Sequence, residues 1–115
     1  MLDIQTIQLE LGIDIAVLVL TGKITIGRDC KQLEWAVESL VREGRKKVIL
    51  DMTAVTNIDS TGIGIIVMSA GNAKNAGGEL RVAGVNEHVE QVMKMTNLGK
   101  IIGIYPTSEA AAEGF

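Results

Sequence analysis

The chain has 115 residues, 47% hydrophobic and only 3% aromatic, the size and composition of one domain with a core of Ile, Val, Leu, Met and Ala. A formal net charge of −3 offers no electrostatic footprint for nucleic acid. Trp35, Tyr105 and Phe115 are too scattered to stack single-stranded bases, and no apolar run reaches bilayer length.

The N-terminus lacks a basic stretch followed by an apolar run, so no signal peptide is read and the cytoplasm is the expected location. Residues 4–11 alternate with a period near two, as in a half-buried edge strand. Gly12-Ile13-Asp14 breaks that pattern. Residues 15–20 are a continuous apolar run, expected of a strand covered on both faces and joined to the first by a hairpin. Gly22 and Gly27 then bracket a loop over 23–26. Cys30, Leu33, Val37, Leu40 and Val41 recur at helical spacing, with Asp29 near the start and Gly44 past the end. Cys30 is the only cysteine, which excludes an intramolecular disulfide and a Cys-based metal cluster; it reads as a half-buried helix residue.

The one basic run, Arg45-Lys46-Lys47, reads as a solvated segment before the third strand. That strand is expected over 48–52, short, apolar and central. Residues 61–76 carry conflicting signals. Ile63, Ile65, Ile66 and Val67 favour a strand. The cap Asp59-Ser60-Thr61, and Lys74 before Gly77-Gly78, favour a helix. A strand would also leave two parallel neighbours without a crossover, so a helix is predicted. Residues 79–83 read as a fourth strand. Asn86 caps a helix with the core stripe Val89, Val92, Met93 and Thr96. A last strand over 101–105 and a terminal helix over 107–112 follow. Met68, Met93 and Met95 read as core fillers. The predicted fold is α/β: one mostly parallel sheet of four to five strands, opened by a hairpin and flanked by helices, spanning 1–115 as one domain.

The segment 51–64 carries the chemistry. A buried strand runs out, a polar loop turns into a helix, and this edge of an open α/β sheet is where ligands and partners bind. Ser60 stands at the helix start, where unpaired backbone N–H groups and the positive end of the dipole would stabilise a phosphate. Gly62 and Gly64 remove side chains nearby, so that another protein's backbone could approach, and Ile58 is expected to be exposed. The same polar residues would serve equally as an ordinary helix cap. A nucleophilic serine is a poorer reading, because the G-x-S-x-G elbow around Ser60 is not met, Ile58 standing where its first glycine belongs. His88 is the only histidine, on a predicted helix. Gly62-x-Gly64 lacks the third glycine of a dinucleotide fingerprint, and no Walker sequence occurs. A binding module with no catalytic residue, metal or cofactor is therefore expected.

Ile58-Asp59-Ser60-Thr61-Gly62-Ile63-Gly64 resembles the signature of the STAS-domain family, the bacterial anti-sigma factor antagonists (anti-anti-sigma factors). Leu20-Thr21-Gly22-Lys23-Ile24, Gly77-Gly78-Glu79-Leu80 and Thr96-Asn97-Leu98 are similar to further family segments in matching order. The resemblance implies the STAS fold and a phosphorylation switch. The unmodified form would bind an anti-sigma factor that is also a serine kinase of the histidine-kinase-like ATPase fold, releasing a sigma factor. Phosphorylation of Ser60 would end the interaction, and a PP2C-type phosphatase would restore it. It also implies a partner-binding surface of Thr25, Ile58, Asp59, Thr61, Gly62 and Ile63. Many members carry Asp where this chain has Thr25, a position associated with the kinase contact. A STAS domain serving as a stressosome-like scaffold, a lipid-transport component or a nucleotide or small-ligand sensor stays open as the alternative.

Overall fold

Five strands form one sheet in the computed structural model, which describes residues 2–7, 15–45, 47–113 and 115. The elements run β1 (Leu2–Ile7), β2 (Ile15–Ile24), α1 (Arg28–Arg42), β3 (Lys47–Ile58), α2 (Ser60–Asn75), β4 (Glu79–Ala83), α3 (Glu87–Met95), β5 (Ile104–Tyr105) and α4 (Ser108–Ala112), with a 3₁₀ turn at Leu98–Lys100. The strands lie in the order β1-β2-β3-β4-β5. β1 is antiparallel to β2, and every other pair is parallel. The expected edge strand is thus in place, while residues 8–11 of it and the break at 12–14 lie outside the described residues.

Strand alternation divides the apolar residues between two faces. Ala16, Leu18, Leu20, Val48, Leu50, Leu80 and Val82 face one side, where Leu33 and Val37 of α1, Ile66 of α2 and Met93 of α3 cover them. Ile15, Val17, Ile49 and Ala83 face the other, covered by Ala111 and Ala112 of α4. At the heart of that second face lies Arg81. Its guanidinium donates to the carbonyls of Ala111 (2.8 Å) and Glu113 (2.9 Å) at the end of α4. It also pairs with Glu79 at 2.6 Å and stacks over the Phe115 ring at 4.0 Å.

α2 is a helix despite its β-branched residues, because it is the crossover between parallel β3 and β4. Five expectations need correction. β3 runs for 12 residues, well past the predicted end at Met52. β2 likewise extends through Ile24, so the loop expected over 23–26 shrinks to Thr25, Ile26 and Gly27. Of the three methionines only Met93 is in the core; Met68 is turned outward on α2 and Met95 ends α3 exposed. Cys30 is fully buried rather than half-buried, and Thr96, outside the core stripe, is exposed.

Candidate functional site

β2 and β3 continue together beyond the last β4 residue, and their final pair is Ile24 and Ile58. On the way β3 takes three residues from Asp51 to Ala54 against two from Val19 to Thr21, and two from Val55 to Asn57 against one from Gly22 to Lys23. Each extra residue is a bulge, which bends the strand and resets which side chains face the core. Val55 and Ile58 point inward as a result. The carbonyl of Val55 accepts a hydrogen bond from the side chain of Asn86. Asn86 also caps α3 through the Val89 N–H, at 2.9 Å.

One residue past Ile58, Asp59 ties the site together. Its N–H donates to the Ile24 carbonyl at 3.3 Å. Its Oδ1 accepts from the Gly62 N–H at 2.8 Å, capping α2, and its Oδ2 accepts from the Ile26 N–H at 2.9 Å. Asp59 therefore does the capping that the sequence left open among three residues, which relieves Ser60 of it. Ser60 is the first residue of α2 and is exposed. Among the described residues no hydrogen bond engages its hydroxyl.

The glycines have separate roles. A Cβ on Gly62 would lie 2.5 Å from the Ile24 carbonyl oxygen and 2.8 Å from Ile58 Cγ1, so this glycine lets α2 press onto its own chain. The expectation that it admits a partner's backbone is corrected accordingly. Gly64 has open space around it and lies one turn from Ser60 on the exposed side of α2. Ile58 is likewise corrected: it is 6% exposed, as is Ile63, and both belong to the main core. Their side chains support the site from beneath. Asp59, Thr61 and Thr25 are half-buried.

The Thr25 carbonyl accepts the thiol of Cys30 at 3.0 Å. Burial pushes that thiol above its ordinary value of 9.0, and the carboxylates of Asp59 and Asp29 push it further the same way. Cys30 is accordingly a protonated donor at neutral pH, and its task is to hold the loop. One residue escaped the sequence reading. Ile26 is 75% exposed, and the signal for it was an isoleucine between Thr25 and Gly27 in a loop too short to bury it.

Asp51 stands apart from the site on the α4 face, where its carboxylate accepts from the Thr53 and Ser108 hydroxyls at 2.7 and 3.4 Å. His88 is exposed on α3. Among the described residues no group of His, Cys, Asp and Glu could hold a metal ion, and no helix is long and apolar enough to cross a membrane. A cavity of about 410 Å³ lies between α3 and β5, lined by Met93, Lys94 and Ile104 among others; none of its lining residues belongs to the Ser60 edge.

The STAS domain family model matches residues 6–111. The chain belongs to the STAS domain family. A curated relative of this STAS domain, from Thermotoga neapolitana, is provisionally named an anti-sigma factor antagonist. It is 30% identical over 100 residues, covering 87% of this chain and 88% of its own. The crystal structure of a Thermotoga maritima protein with the same provisional name superposes with a TM-score of 0.85 at 27% identity, covering 96% and 92% of the two chains. The phosphorylated form of the Bacillus cell fate determinant SpoIIAA shares the fold, with a TM-score of 0.70, 16% identity and 95% and 96% coverage.

Proposed function

We propose that this protein is an anti-sigma factor antagonist working as a single cytoplasmic STAS domain, a binding module and not a catalyst, switched by phosphorylation of Ser60. Unmodified, it binds an anti-sigma factor that is a serine kinase of the histidine-kinase-like ATPase fold, and so frees a sigma factor. The kinase phosphorylates Ser60, the complex parts, and a PP2C-type phosphatase resets the switch. The observation that carries this reading is the division of labour at α2. Asp59 caps the helix, so the Ser60 hydroxyl stands exposed at the first helical position with no structural task. The names of the curated relatives support the same role.

Physical chemistry makes such a serine a switch. A phosphate adds about −1.5 to −2 charges at pH 7. In the free protein it would be solvated and face the positive end of α2, at a cost or gain of about 1 kcal/mol. Buried against a surface shaped for a neutral hydroxyl, the same charge costs on the order of 2–5 kcal/mol. The Asp59 carboxylate beside it adds repulsion.

Incubation with an ATPase-fold anti-sigma kinase from the same genome and ATP, followed by fragment mass spectrometry, tests the assignment. Modification is expected on Ser60 and absent from Ser60→Ala. Undiminished modification of that variant, for instance at neighbouring Thr61, overturns the assignment.

A further inference from the structure

We infer that Ile26 is the apolar anchor by which this protein selects its anti-sigma partner, and that Asp59 is its positioning residue; the inference rests on the partner-binding reading above. The other isoleucines at this edge, Ile24, Ile58 and Ile63, are all buried. Ile26 is turned outward, 75% exposed, and between Thr25 and Gly27 it holds most of the loop's apolar area. A single exposed aliphatic residue is ordinary on a protein surface. What sets this one apart is how its backbone is held.

Each residue of the loop is fixed. The Thr25 carbonyl accepts from the Cys30 thiol at 3.0 Å, and the Ile26 N–H donates to Asp59 at 2.9 Å. The Gly27 carbonyl accepts from the Lys31 N–H at 3.4 Å, with Gly27 at φ +110°, a conformation that L side chains rarely adopt. The loop is ordered although the core gains nothing from the Ile26 side chain. The ordering is complete before a partner arrives, so little entropy is lost when the side chain is covered. The carboxylate that holds Ile26 also caps the helix bearing Ser60. A surface that covers the Ser60 hydroxyl therefore meets Ile26 in one fixed relation to it. The partner this fits is a protein with an apolar pocket beside the point where it receives the serine hydroxyl.

The test is a double-mutant cycle, read by calorimetric titration with purified ATPase-fold anti-sigma kinases of the same genome. Ile26→Ala is expected to weaken binding roughly ten- to a hundred-fold, the loss of two to three buried methylenes, with an unchanged melting temperature. Asp59→Asn keeps an oxygen for Gly62 but removes the acceptor for the Ile26 N–H. It is expected to speed hydrogen exchange at the Ile26 amide and to reduce the effect of Ile26→Ala to a few-fold. Equal binding by wild type and Ile26→Ala overturns the inference and leaves the proposed function standing. Equal effects of Ile26→Ala in both backgrounds overturn the role of Asp59. Failure of wild type to bind any of these kinases overturns the proposed function and the inference with it.

Discussion

Two glycines on opposite sides of α2, two residues apart, separate what the fold needs from what the surface offers. Gly62 is pressed against the Ile24 carbonyl and Ile58, so Gly62→Ala forces a backbone shift and is expected to cost about 1–3 kcal/mol in urea unfolding. Gly64 faces open space within the same helix, and Gly64→Ala is expected to stabilise by about 0.5–1 kcal/mol through helix propensity. Cys30 gives a pH signature. Its thiol pKa is raised in the folded state, so the folded protein holds the proton more tightly than the unfolded chain does. The associated stability is complete below the ordinary thiol value of 9.0 and is lost as pH rises through the folded value. Urea melts from about pH 8 upward are expected to show a steeper decline for wild type than for Cys30→Ala. Parallel slopes for the two proteins would contradict the burial argument.

At the scale of elements, the signals that failed were those that the bulges disguise. Residues 79–83 were legible as a strand because they sit between Gly77-Gly78 and Gly84, and they pair without irregularity. The outer half of β3 was not. Met52, Val55 and Ile58 are buried at intervals of three, a spacing foreign to the period of two of a regular strand, and Thr53, Thr56 and Asn57 between them read as loop. Beyond Asp51 the strand pairs only with β2, so polar residues are tolerated there. α4 was legible as a helix, but its attachment was not, since nothing in the sequence pairs Arg81 with residues 30 positions away. The guanidinium holds the last carbonyls of α4 and stacks on Phe115. Arg81→Ala is expected to destabilise by about 2–4 kcal/mol, with hydrogen exchange quickening first in α4. Exchange spread evenly over the sheet would assign Arg81 a different role.

For the molecule as a whole, the sheet puts its thick layer of helices on one face and the Ser60 edge where β2 and β3 outrun β4. Residues 58–64 made that edge readable in the sequence because they serve chain geometry and surface chemistry together. Asp59 caps, Gly62 packs, and Ser60 is left outward. Ile58 was misread as exposed because the bulge that turns it inward has no sequence signature, and the fixed placement of Ile26 was missed because it rests on the hydrogen bond that its N–H donates to Asp59, 33 residues away. In the proposed switch, charge at Ser60 governs binding without governing the fold. Calorimetric titration of Ser60→Asp and Ser60→Ala with the anti-sigma kinase, beside thermal melts of each, tests it most directly. Similar melting temperatures are expected, with wild-type or stronger affinity for the Ala variant and affinity lower by roughly thirty-fold to several thousand-fold for the Asp variant. Equal affinities for the two variants would contradict it and would reduce Ser60 to the first residue of a helix.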